Sequence, residues 1–332
     1  MKAGVWEGIG TIECREWERP RIRPGEVLVR VSFCGFCGSD PHIIEGHLPV
    51  GPPPQLLGHE VSGEVVEIGD DVRGFEPGDR VGCNLYGYCG ACAWCRAGQP
   101  NHCRRKYFSA KGFAEYATYR PEQLFKLPAD MSLEVAALLE PVATCVHAVE
   151  IGEVRTGEHV LVIGGGPLGL IVAQLARASG AATVMVSEPR PRNRELAVSL
   201  GADRALDPTT DDLREVASAM GERKGFDVVF EVAGVPAAAA LAPELVSTRG
   251  RVIIVGVFDR EVTIPVRPYL IYEKEIAVRG AFATNRTFQR AIDLLPRLAL
   301  QPLITAVEPL ERIASVYAAH KAGEYVKVLV AP

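Results

Sequence analysis

Glu158-His-Val-Leu-Val-Ile163, followed at once by Gly164-Gly-Gly166-Pro-Leu-Gly169, is the stretch that decides the fold. The first part is a continuous apolar run of the kind buried on both faces of a parallel sheet. Gly-x-Gly-x-x-Gly alone is a weak signal. Placed after a buried strand and before a helix, it is a dinucleotide-binding fingerprint. Gly164 makes the tight turn, Gly166 lets the backbone approach a pyrophosphate, and Gly169 allows close helix–sheet packing. Pro167 suits a first helical turn, and Leu168 follows it into a helix whose N-terminus faces the phosphates.

Working outward, the segment Leu168 to Ser179 has helical periodicity, and Thr183–Ser187 reads as the next strand. A helix near Arg192–Leu200, a strand at Phe226–Val232, a helix at Ala237–Leu245 and strands at Arg251–Val257 and Ile276–Arg279 continue the alternation. This rhythm predicts α/β architecture with a doubly wound parallel Rossmann sheet over residues 147–282. Glu188, at the end of the second strand and 19 residues past Gly169, is placed to accept hydrogen bonds from a ribose 2′-hydroxyl. The same charge repels a 2′-phosphate, which favours NAD over NADP. Arg190, Arg192 and Arg194 stand close enough to soften that repulsion.

Residues 1–146 read differently. Val27–Val31 and Val61–Ile68 are short strands, and Pro77-Gly-Asp-Arg-Val81 turns into another, giving a β-rich part broken by Gly and Pro. The tail, 283–332, carries a helix at Phe288–Leu295 and a terminal strand at Val326–Val330, and is expected to pack back onto the first part.

Composition narrows the function classes. With 332 residues, 48% hydrophobic and 23% charged, the chain suits about two globular domains. A net charge of -5 without a basic run gives no reason to expect nucleic-acid binding. No stretch approaches the ~18 apolar residues of a membrane span, and Met1–Glu7 lacks a signal-peptide core. Nine cysteines, clustered rather than spread as a disulfide framework, predict a reducing, cytoplasmic setting.

Four of those cysteines, Cys89, Cys92, Cys95 and Cys103, are separated by two, two and seven residues. An iron–sulfur signature begins the same way, but the fourth spacing differs and no proline follows. A tetrahedral zinc is the more economical reading, and four thiolates leave no open position, so that site is structural. Cys37, His59 and Glu60 offer one soft, one intermediate and one hard donor, which with a water describes an open, catalytic zinc. Taken singly, each also reads as a core cysteine, a satisfied buried histidine and a solvated acid. Cys14, Cys34, Cys83 and Cys145 are expected to behave as small buried hydrophobes.

Cys37-Gly-Ser-Asp40-x-His42, then Gly58-His59-Glu60, the four-cysteine lobe and the glycine fingerprint, in this order, resemble the zinc-containing medium-chain dehydrogenase/reductase family. Glu140-Pro141 resembles the acid–proline step of its sorbitol and threonine dehydrogenase branch. The resemblance covers essentially the whole chain. It implies a GroES-like catalytic zinc domain for residues 1–146 and 283–332. It also implies two zinc ions per chain, with Glu140 as a fourth or exchanging ligand beside Cys37, His59 and Glu60. Asp40 resembles the acid that orients the ligand histidine, and Ser39 and His42 resemble a proton relay. Glu60 is implied to come on and off the metal.

The implied activity is transfer of a hydride between a small secondary alcohol (a polyol, sugar or cyclitol) and NAD. Threonine 3-dehydrogenase and 2,3-butanediol dehydrogenase are the neighbouring activities, and a catalytically inactive nucleotide-binding zinc scaffold is the alternative from another class. A homodimer or homotetramer is implied. Many members carry a basic residue five positions beyond the acid; here that position is Asn193, with Arg194 next.

Overall fold

A chain that alternates short β-segments with Gly and Pro turns builds sheets from distant pieces, and the first 143 residues do so in the computed structural model, which describes residues 1–48, 50–109 and 111–332. The strands are β1 (Lys2–Gly8), β2 (Thr11–Glu16), β3 (Val27–Gly35), β4 (Gln55–Leu56), β5 (Glu60–Ile68) and β6 (Arg80–Cys83). After them come β7 (Tyr86–Gly87), β8 (Tyr107–Phe108), β9 (Tyr116–Tyr119) and β10 (Leu124–Lys126). Helices α1 (Ser39–Ile44), α2 (Ala93–Arg96), α3 (Leu133–Ala136) and α4 (Leu139–Gly152) interrupt or follow them.

Met1–Ala143 forms one compact unit with Thr284–Pro332. The reason is the main sheet, ordered β10-β6-β5-β3-β18-β17, in which the tail strands β17 (Ile304–Pro309) and β18 (Lys327–Ala331) extend a sheet begun three hundred residues earlier. β18 pairs antiparallel with the end of β3, Leu329 opposite Gly35 and Val330 opposite Cys34. β3 is held by β5, β9 and β18, so Leu28 is buried along with Val27 and Val29, and its period-two pattern is blurred. Val27, Val61, Val65, Phe113 and Val328 meet in the core.

Thr144–Ala283 is the second unit. Its strands are β11 (His159–Ile163), β12 (Thr183–Ser187), β13 (Arg204–Leu206), β14 (Phe226–Glu231), β15 (Val246–Ile254) and β16 (Ala277–Gly280). Helices α5 (Pro167–Ala178), α6 (Pro191–Ser199), α7 (Leu213–Ser218), α8 (Pro236–Leu245) and α9 (Pro268–Lys274) alternate with them. All pairings are parallel, in the order β13-β12-β11-β14-β15-β16, the doubly wound sheet the alternation predicts. The direction of winding reverses between β11 and β14, and the crevice beyond their carboxyl ends is where such sheets hold ligands.

β15 starts earlier than the sequence suggests, at Val246, because Thr248-Arg249-Gly250 looks like a plain turn. In the fold Arg249 takes a φ of 62° and the pairing with β14 shifts register there. The short helix α7 carries a signal that reading passed over. The Asp212 side chain caps it, accepting from the backbone N–H of Arg214 and Glu215 at 2.8 and 3.3 Å. In the tail, α10 (Phe288–Leu294) and α11 (Ile313–Lys321) complete the helices. No helix among the described residues is long and apolar enough to cross a membrane.

Phe230, fully buried in β14, packs where α4 ends: a Cβ on Gly152 would meet its ring at 2.6 Å. Phe230→Ala removes that ring from a site with no room to collapse. The expected loss is about 3–5 kcal/mol of unfolding free energy, read by urea denaturation.

Candidate metal and cofactor sites

Three chain segments converge at one end of the first unit. β3 ends at Gly35, the next turn delivers Cys37, and β5 begins at Glu60 directly opposite Gly35, which brings His59 and Glu60 beside Cys37. One donor atom from each of Cys37, His59 and Glu60 lies within 4.8 Å of the others. Gly35 is required for this, because a Cβ there would sit 2.0 Å from the Glu60 Oε2. Asp40 on α1 accepts from the Cys37 N–H at 2.8 Å through one oxygen, and its other oxygen lies 3.5 Å from His59 Nδ1. That places a carboxylate behind the imidazole, the position from which one orients a ligand histidine. Ser39 and His42, both half-buried, stand one helical turn apart on α1. Glu140, buried at the start of α4, lies outside the close triplet, yet its charge and that of His59 are both felt by Tyr86.

The sequence reading missed Lys327. It is the first residue of β18, only 2% exposed, and its ammonium donates to both oxygens of Glu60 at 2.8 and 2.6 Å and to the Phe36 carbonyl at 3.0 Å. Burial opposes its charge, but the Glu60 and Cys37 charges hold its pKa above the ordinary lysine value. Burial also opposes a charged His59, yet the Cys37 sulfur and the Asp40 carboxylate lift it well above the usual histidine range. Asp40, Glu60 and Cys37 are three acids around one ammonium in a site where Asp40 and Glu60 are fully buried. Buried acids beside sulfur, nitrogen and oxygen donors within reach of one another fit a divalent metal of the zinc type.

The four-cysteine lobe passes a geometric test. A zinc–thiolate bond of about 2.3 Å requires sulfur–sulfur edges of about 3.8 Å in a regular tetrahedron. Cys89 and Cys95 are 3.9 Å apart, Cys92 and Cys95 3.6 Å, Cys92 and Cys103 3.9 Å, and Cys103 and Cys89 3.5 Å. The lobe is also wired for negative sulfur. Backbone N–H groups of Ala91 and Cys92 pull the Cys89 thiol down to about 6, the Cys95 N–H lowers Cys92, and burial pushes Cys95 up to about 12. Of the remaining cysteines, Cys34, Cys83 and Cys145 are buried as expected, whereas Cys14 is half-buried because β2 lies at a sheet edge.

In the second unit the glycine turn has the form the fingerprint requires. Gly164 adopts a φ of 106°, and a Cβ on Gly169 would sit 1.8 Å from the Gly164 carbonyl oxygen, so turn and helix are in direct contact. A Cβ on Gly166 would meet nothing within 4 Å, leaving its backbone open to a ligand. Pro167 and Leu168 open α5 beside it. Glu188, 6% exposed, accepts from Gly165 N–H at 2.8 Å and Arg190 N–H at 3.0 Å. Asn193 donates to the Gly165 carbonyl at 3.0 Å, stitching α6 to the glycine turn. Arg194 is engaged by Asp207 at 3.0 Å and by the carbonyls of Glu188 and Pro189.

Removing only the Lys327 charge leaves Glu60 buried and uncompensated, so Lys327→Met is expected to destabilise the metal-free protein by about 3–5 kcal/mol. Adding Glu60→Gln recovers a large part of that loss, and a double-mutant cycle of urea denaturation reads the coupling.

Residues 23–129 match the family model for the alcohol dehydrogenase GroES-like domain, and residues 167–297 match that for zinc-binding dehydrogenases. The sorbitol dehydrogenase of Halalkalibacterium halodurans is 36% identical over 343 residues, covering 100% of this chain and 99% of the relative. The L-threonine 3-dehydrogenase of Pyrococcus horikoshii is 38% identical over 304 residues, covering 88% and 87% respectively. A crystal structure described as a zinc-binding dehydrogenase of Sinorhizobium meliloti, bound to NADP, superposes with a TM-score of 0.94 at 35% identity, covering 100% of this chain and 99% of the other. The chain therefore belongs to the zinc-containing medium-chain dehydrogenase/reductase family, and is an alcohol oxidoreductase working with zinc and a nicotinamide cofactor.

Proposed function

We propose that this enzyme oxidises a secondary hydroxyl of a polyol, sugar or cyclitol with NAD, and that Cys37, His59 and Glu60, with Glu140 exchanging, hold the catalytic zinc. The observation that carries the reading is the convergence of those three donors, oriented by Asp40 and charge-balanced by Lys327. A zinc ion bound there supplies Lewis acidity to the alcohol oxygen, and the nicotinamide supplies the hydride acceptor. Asp40 keeps the His59 ring in one orientation, and Lys327 keeps the Glu60 carboxylate at the donor set. Ser39 and His42, one turn apart on α1, lead the hydroxyl proton away, a task suited to imidazole near neutral pH. Cys89, Cys92, Cys95 and Cys103 hold a second, structural zinc.

In this reading the unit of residues 1–146 and 283–332 is the catalytic zinc domain and 147–282 binds the dinucleotide. The cofactor rests on Gly164, Gly166, Pro167, Leu168 and Gly169. Glu188 takes the ribose hydroxyls and makes NAD the preferred form. Arg194 is already occupied by Asp207 and two carbonyls, which supports that preference. Full-length similarity to a sorbitol dehydrogenase supports a polyol substrate. β16 pairs only with β15 among the described residues, and Val278 beside the exposed Phe282 is half exposed at that free edge, which supports pairing of two copies in a homodimer. None of the nine cysteines is in a disulfide, which suits a cytoplasmic setting.

Two experiments test the reading. Metal analysis of the purified chain should give two zinc equivalents, falling to one in Cys37→Ser with the fold retained. A single equivalent that survives Cys37→Ser would point to an inactive scaffold. Polyols, cyclitols, 2,3-butanediol and L-threonine are then assayed with NAD and NADP by absorbance of the reduced cofactor. Polyols with NAD should give the highest kcat/KM, and no oxidation of any secondary alcohol by zinc-replete enzyme would reject the proposal.

A further inference from the structure

Glu231 is the last residue of β14, paired with Ile163 on one side and Ile254 on the other, and its side chain is fully buried. Ile163 immediately precedes the glycine turn, so this carboxylate stands at the carboxyl ends of β11 and β14, where the winding of the sheet reverses. Its Oε1 accepts from the backbone N–H of Gly234 at 2.9 Å and of Val235 at 3.4 Å, just before α8 begins. Val235 makes no side-chain cap for α8, and the Glu231 carboxylate instead holds the two backbone N–H groups that lead into the helix. The loop it fastens, Val232–Val235, is the one that abuts the fingerprint: a Cβ on Gly164 would sit 2.8 Å from the Ala233 nitrogen.

Two further features set Glu231 apart from an ordinary acid that fastens a loop. Its Oε2 is buried without a hydrogen-bond partner, against Gly256, where a Cβ would lie 2.7 Å from that oxygen and 2.4 Å from the Gly234 nitrogen. Among the described residues no ion pair to it is found. Its strand partners are isoleucines, and the N–H groups of Val235, Gly234 and Ala233 are what offsets its burial. Burial therefore pushes its carboxyl up to about 7. An acid kept in so costly a place has a job that a leucine would not do.

We propose that Glu231 is a positioning residue for the nicotinamide cofactor, acting through the Val232–Val235 loop that it fixes against the Gly164 turn. The proposal rests on the reading that the cofactor binds at this switch point. Reach matters more than charge: the carboxylate must extend far enough to meet the Gly234 and Val235 N–H groups, and an amide of the same length meets them as well. Its raised folded value means that the stability it contributes is fully present below the ordinary carboxylate range and is lost as pH rises through about 7.

The test compares Glu231→Asp, which keeps the charge and loses the reach, with Glu231→Gln, which keeps the reach and loses the charge. Binding of NADH and NADPH is titrated by fluorescence on zinc-replete protein, alongside circular dichroism, zinc content and thermal midpoints from pH 5.5 to 8.5. Glu231→Asp should weaken cofactor binding at least tenfold and raise the KM for cofactor more than it lowers kcat. Glu231→Gln should bind within threefold of wild type, and its thermal midpoint should lose the wild-type decline through pH 7. Wild-type affinity in Glu231→Asp, or an equal loss in both variants, would overturn the positioning role while leaving the cofactor site standing. Wild-type protein that binds neither nucleotide would overturn both.

Discussion

The contact on which the first unit's chemistry depends is the buried pair between Lys327 and Glu60, 267 residues apart in sequence. Without an ammonium in that place, a fully buried carboxylate would have to be neutral or hydrated, and either outcome spoils a metal site. The pair also explains why the tail belongs to the first unit. β18 must lie along β3 for its first residue to reach the Phe36 carbonyl and the Glu60 side chain. Gly35 completes the constraint, since any side chain there would occupy the Glu60 oxygen's place. One ion pair thus ties the sheet's topology to the composition of the donor set.

In the proposed assignment the two cysteine-bearing clusters bring their donor atoms together in two ways. The lobe from Cys89 to Cys103 packs four sulfurs into a few turns, and the local N–H groups of Ala91, Cys92 and Cys95 point at sulfur with little help from the rest of the fold. It needs only a short loop to be right. The other set needs two strands in register, a helix start bearing Asp40 and a lysine from the far end of the chain. A closed set made locally suits a staple. A dispersed set, with its polar groups positioned from several elements, suits a centre whose ligands exchange.

This division decides what the sequence discloses. The strand–glycine–helix of residues 158–179 and the four-cysteine lobe are legible because all their chemistry sits within one short stretch. Cys37, His59 and Glu60 are legible as compatible donors and the resemblance strengthens the set, but nothing in their own spacing says that Gly35 and Glu60 face each other. Lys327 is silent: within Val326-Lys-Val-Leu-Val330 nothing marks it as buried, and the structure buries it where β18 lies along β3. Glu231 did leave a trace, an acid directly after Val228-Val-Phe230, but that signal shows a polar group in a buried strand without showing which loop it serves.

Glu60 and Glu231 are both fully buried acids at the ends of strands, and their surroundings give them opposite characters. Glu60 meets the Lys327 ammonium at 2.6 Å, so its position is the quantity that matters. Glu231 meets only backbone dipoles and keeps one oxygen unpaired, so its charge is the costly part and its value drifts to about 7. The same side chain is a fixed electrostatic element in one unit and a marginally tolerated one in the other. A metal centre gains from the first arrangement, because a donor that wanders loses the ion. In the proposed role, the loop before α8 depends on the length of the Glu231 side chain, so a carboxylate whose charge is costly is tolerated there for the two N–H groups it reaches.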